Sequence, residues 1–92
     1  MNVEISARAL AELDAAFAFL NQDNPRAADA MRAAIAKAIS SLETLPNRGR
    51  PGRVSDTREL LVKGAPYVVV YGVNSEVVNI FNIRHTSQNP II

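Results

Sequence analysis

Apolar residues recur with one spacing in the first half of the chain and another in the second. Residues 2–5 alternate polar and apolar, which predicts a short strand, and Ser6 can cap a helix after it. In that helix Leu10, Leu13, Phe17 and Leu20 recur at spacings of 3, 4 and 3 and form one stripe, with Glu12 and Asp14 off it and facing water. Alanines 9, 16 and 18 keep helix propensity high and let a neighbour approach closely. NQDNP (21–25) ends this helix and starts another, with Asn24 as N-cap and Pro25 at the first helical position. Met31, Ile35, Ile39 and Leu42 make the second stripe, and Pro46 stops it. Two stripes joined by a short polar turn predict an antiparallel helical hairpin.

After residue 54 the period becomes strand-like. TRELLVK (57–63), YVVVYGV (67–73) and VVNIFNI (77–83) are separated by turns at Gly64-Ala65-Pro66 and Asn74-Ser75. They predict a three-stranded antiparallel meander. The order β-α-α-β-β-β predicts an α+β domain over residues 1–92, with one sheet packed on the hairpin. The expected core is Leu10, Leu13, Phe17, Met31, Ile35, Ile39, Val69, Tyr71, Ile80 and one of Phe81 or Ile83.

Composition narrows the options. With 92 residues, 48% hydrophobic and 21% charged, the chain is globular and sized for one domain. Such a domain buries only roughly 60–65% of its unfolded surface, so a partner would add useful stability. The absence of cysteine excludes disulfides and thiolate metal sites, and a single histidine, His85, excludes a multi-histidine site. We therefore expect no metal and no cofactor. No apolar run approaches the ~20 residues of a membrane span, and MNVEISARAL lacks a signal-peptide core, so the expected location is the cytoplasm, away from membranes. Net charge is only +1, but residues 1–45 carry four basic and six acidic side chains and residues 46–92 carry six basic and three acidic. A global field steering the chain to DNA is absent; a local positive patch is not.

That patch is RGRPGRV (48–54), the connector between the helical and strand-like halves, with Arg58 just after it. Arg48, Arg50, Arg53 and Arg58 offer planar forks suited to carboxylates or phosphates, and Pro51 limits the freedom that binding would freeze. The same residues also suit a solvated connector. Cleaving RNA through its 2′-hydroxyl needs a base, an acid and cations on the phosphate; Arg58, Arg84, His85 and Tyr67 are the available set. Neither a Ser-His-Asp set nor a phosphate-cradling glycine loop occurs. Tyr67 and Tyr71, four apart in a strand, face the same way and suit either base stacking or core packing.

The ordered elements NP-RAA (24–28), LP-RGRPGR (45–53), TREL (57–60), PYVVVY (66–71) and IRHTSQNP (83–90) resemble the RelE/ParE toxin superfamily, its ParE-like branch in particular. The resemblance spans nearly the whole chain. It implies a growth-inhibiting, plasmid-stabilising toxin of a type II toxin–antitoxin module, with two helices on an antiparallel sheet. RelE-like members cut messenger RNA on the ribosome; ParE-like members block DNA gyrase without catalysis. Where RelE-like chains carry an arginine three residues before the central-strand tyrosine, this chain has Val68. Their late arginine is replaced by Thr86 or a neighbour, and a C-terminal tyrosine is missing. The ParE-like activity is therefore the expected one, without direct DNA binding by this chain. The alternatives are a ribosome-dependent nuclease using Arg58, Arg84 and His85, or an inactive interaction module. The resemblance also implies a cognate ParD-like antitoxin with an acidic tail, assembled with the toxin as a hetero-oligomer. Arg48, Arg50, Arg53, Arg58, Arg84, His85 and Gln88 would meet that antitoxin or the target.

Overall fold

The computed structural model describes residues 1–87. Its elements are β1 (Asn2–Ile5), α1 (Ala7–Asp23), α2 (Pro25–Ser41), β2 (Arg50–Pro51), β3 (Arg58–Leu61), β4 (Tyr67–Asn74) and β5 (Val77–His85). The helix ends follow from their caps. Ser6 Oγ accepts from Ala9 N at 3.0 Å and donates to Phe81 O at 3.1 Å, so one side chain both starts α1 and ties it to β5. Asn24 ends α1 and caps α2, its Oδ1 accepting from Ala27 N at 3.0 Å, while Pro25 opens α2.

The expected meander is present as β3, β4 and β5, but it forms the middle of a larger sheet of order β1-β5-β4-β3-β2. Two differences from the sequence-based arrangement follow. The first strand adds in parallel to β5, pairing Asn2 with Val77 through Ile5 with Ile80, so the sheet is mixed. The arginine connector supplies a fifth, two-residue strand, in which Arg50 pairs with Glu59 and Pro51 with Arg58. Hydrophobic period cannot reveal either, because a two-residue strand has no period and pairing direction is a tertiary choice.

The core lies between the hairpin and one sheet face, around Met31, Ile35, Ile39 and Leu42 from the second helix and its end, and Leu60, Val62, Val69, Tyr71, Val78, Ile80 and Ile83 from the strand half. Leu10 is exposed, contrary to expectation, and its neighbour Ala9 is fully buried. The stripe of α1 is rotated so that a residue with no bulk faces the core, and Leu13 and Phe17 reach it only in part. Arg32 covers the outer side of Phe17, with its guanidinium 4.0 Å from the ring centroid. Ile83 takes the core position and Phe81 is exposed: the register shifts between Val70 and Tyr71, leaving Phe81 without a partner on β4. Glu12, expected in water, accepts from Ile83 N at 2.8 Å, past the last β1–β5 pair. A sheet edge there would otherwise carry an unpaired N–H.

Candidate functional site: an arginine connector held by a buried carboxylate

The connector is anchored from both ends of its own sequence. The hydroxyl of Tyr71, a fully buried residue, donates to Pro46 O at 2.8 Å and accepts from Gly49 N at 2.9 Å. Gly49 has to be glycine, because a Cβ there would lie 2.7 Å from the Tyr71 hydroxyl oxygen. Arg58 Nη1 donates to Gly49 O at 2.7 Å and to Asn47 O at 3.2 Å, and Arg48 Nη1 donates to Ser41 Oγ at 2.8 Å. Gly52 N donates to Thr57 O at 2.7 Å and closes the remaining turn.

The motif contains no acid, yet one sits in its midst. Glu59, on β3, is 6% exposed. Its Oε1 accepts from Arg50 Nη2 at 3.1 Å and lies 3.4 Å from Arg84 Nη2, while its Oε2 accepts from Arg53 N at 3.4 Å. The sheet register explains the convergence. Glu59 pairs with Val70 and Val68 pairs with Arg84, so Glu59 and Arg84 share the face away from the helices and meet across β4. Burial pushes the Glu59 carboxyl up, but the Arg53 backbone bond, the Arg50 hydrogen bond and the Arg84 and Arg50 charges outweigh it and hold it below its usual value. Arg84 is 16% exposed at its side chain and Arg50 is 72% exposed. The cluster therefore has one buried pair and one arginine facing solvent.

Among the sequence-selected residues, Arg50 and Arg84 come together on Glu59, whereas Arg58, Arg84 and His85 do not form a set. Arg84 and His85 are adjacent in a strand and so project to opposite faces. Arg58 pairs with Tyr71 and His85 with Tyr67, which puts them about 13 Å apart along the sheet. His85 Nδ1 accepts from Ser87 N at 3.0 Å, and the ring packs edge-on to Tyr67 with centroids 5.2 Å apart. The Arg53 guanidinium has no hydrogen-bond or ion-pair partner among the described residues. Val68 is buried, Thr86 is exposed, and Gln88 lies outside the described residues. No cluster able to hold a metal occurs among the described residues, and no helix there is long and apolar enough to cross a membrane.

Sequence reasoning missed Glu59. Strand alternation would have set it opposite its neighbour Leu60, but its meeting with Arg84 depends on register across three strands. A groove beside the helical hairpin, of the kind an amphipathic antitoxin segment was expected to need, lies between α2 and the edge of β3. It is lined by Ala34, Ala38, Leu60 and Leu61 and by the cationic Lys37, Arg48 and Lys63. Because β2 covers only Arg58 and Glu59, Leu61 lies on an uncovered stretch of edge and is 66% exposed.

Comparison with known proteins agrees along most of the chain. The family model described as the ParE toxin of the type II toxin–antitoxin system parDE matches residues 3–90. Toxin RelE2 of Caulobacter vibrioides is 40% identical over 81 residues, covering 88% of this chain and 90% of that protein. The candidate toxin Y4kP of Sinorhizobium fredii is 38% identical over 81 residues, covering 88% and 83%. A solved chain from a chromosomal ParDE toxin–antitoxin system of P. aeruginosa superposes with a TM-score of 0.85 at 24% identity, covering 92% of this chain and 95% of that one. That superposition shows the shared fold.

Proposed function

This chain belongs to the ParE toxin family of type II toxin–antitoxin systems, and on that premise we propose that it inhibits DNA gyrase by binding and is neutralised in the cytoplasm by a cognate antitoxin. One observation carries the binding-only mechanism: Arg58, Arg84 and His85, the residues a nuclease site would need, are on different faces or far apart, and each already has a partner. General acid–base cleavage requires such groups within hydrogen-bond reach of one substrate. Incubating gyrase with a molar excess of purified toxin should abolish supercoiling. Unchanged supercoiling, together with codon-position cuts in translated message that vanish on His85→Ala, would establish the ribonuclease reading instead.

The antitoxin contact is an acidic amphipathic segment in the groove between α2 and the β3 edge. Its apolar side chains cover Leu60 and Leu61, and its carboxylates meet Lys37, Arg48 and Lys63. The arginine connector flanks this groove, and Arg53 is its cleanest probe. Reversing Arg50 would set two carboxylates side by side at Glu59, mixing folding with binding. Arg53→Glu leaves that cluster intact, because Arg53 serves it through backbone N–H. We expect it to weaken antitoxin binding several-fold, mainly through slower association, and to flatten the salt dependence. Wild-type affinity and salt slope in this variant would leave the connector outside the interface.

A further inference from the structure

Three donors from three parts of the chain converge on one carboxylate: Arg50 from β2, Arg84 from β5 and the Arg53 backbone N–H. Two guanidiniums and an amide on two oxygens is also how a protein holds a phosphate. Here the anion is part of the chain, on the sheet face that the helices leave open. We propose that Glu59 is an internal counter-anion: its carboxylate fills the place between Arg50 and Arg84 that would otherwise take a phosphate group, and this makes Glu59 the residue that keeps phosphate ligands off this face of the sheet. The inference rests on the binding-only reading above and gives it a residue-level cause.

The geometry supports this in three ways. Glu59 is almost fully buried, so an incoming anion would have to displace it rather than join it. Arg84, also largely buried, has Glu59 as its ion-pair partner, and a free phosphate would pay a like-charge penalty with that carboxylate. Arg50 is mostly exposed, so its guanidinium could move to a new anion once the carboxylate charge were gone. The masking is thus local: Arg53, with its guanidinium in solvent, keeps its ordinary weak attraction for anions.

The test uses inorganic pyrophosphate and the full chain. Glu59→Gln preserves the shape and an acceptor for Arg53 N–H but removes the charge. By calorimetry this variant should bind pyrophosphate at least about tenfold tighter than wild type, the effect of deleting one negative charge within a few ångströms. Glu59→Gln with Arg84→Gln should lose the gain. Equal affinity in wild type and Glu59→Gln, with the native circular dichroism spectrum retained, would overturn the proposal. So would a gain that survives the loss of Arg84, since the anion would then lie elsewhere. If Glu59→Gln does not fold, wild-type protein decides the matter by NMR of the arginine side chains. Titrated pyrophosphate should shift the Arg53 Nε–H signal and leave Arg84 unmoved; an equal response at Arg84 would refute the masking. Neither measurement involves gyrase, so its outcome is separable from that of the supercoiling assay.

Discussion

Tyr71→Phe should lower the stability of the chain by about 2–3 kcal/mol, although it removes a single oxygen from a fully buried residue. That hydroxyl accepts from the buried Gly49 N–H and donates to Pro46 O. Its loss leaves a donor without a partner where water has little access, and a buried unpaired donor costs more than an ordinary hydrogen bond contributes. For a domain of this size the midpoint of thermal unfolding should fall by roughly 10–20 °C. The connector should loosen before the rest, since the same oxygen holds two points of residues 46–49. Hydrogen exchange would show faster exchange at Gly49 than at Val69. A melting point within a few degrees of wild type would mean that water enters and replaces the hydroxyl.

Glu59→Leu is expected to have a similar effect, about 3 kcal/mol at neutral pH, by a different route. It keeps the bulk and removes the charge, so Arg84 loses its ion-pair partner in a largely buried position and the Arg53 N–H loses its acceptor. The pH dependence identifies the cause. The Glu59 carboxyl is held below its ordinary value of 4.5, so its stabilising contribution is complete above that pH and disappears as pH falls through the folded-state value. Urea midpoints of wild type and Glu59→Leu should therefore differ most at neutral pH, and the gap should narrow as pH falls through the folded-state value. Adding Arg84→Leu should recover part of the loss, because an apolar pair is better tolerated than an unpaired buried charge. A gap that is constant from neutral to acid pH would show that packing, and not charge, made the difference.

Both predictions concern the same short segment, and that segment is where sequence and structure part. Ser6, Asn24 and Pro25 mark helix ends by local chemistry, and all three act as read. The β-branched run at 67–73 is a strand because its own side chains favour a pleated, half-buried surface. The arginines of the connector were legible as a positive cluster, but not their state. Arg58 is spent on the carbonyls of Asn47 and Gly49, Arg50 on Glu59 and Arg48 on Ser41, which leaves Arg53 with its guanidinium unengaged among the described residues. Leu10 misled because a stripe fixes a helix face only to within about one residue; tertiary packing chose Ala9.

By itself the sequence determined the two helices, four of the five strands and their order, since each rests on short-range periodicity, caps and turn residues that neighbours along the chain decide; the family came from the resemblance of its ordered motifs. Only the tertiary structure decided that β1 runs parallel beside β5, that the connector becomes a strand, and that Glu59 sits between Arg50 and Arg84. These depend on register across the sheet, where a shift of one residue would move Glu59 to the other face and leave two arginines without their anion.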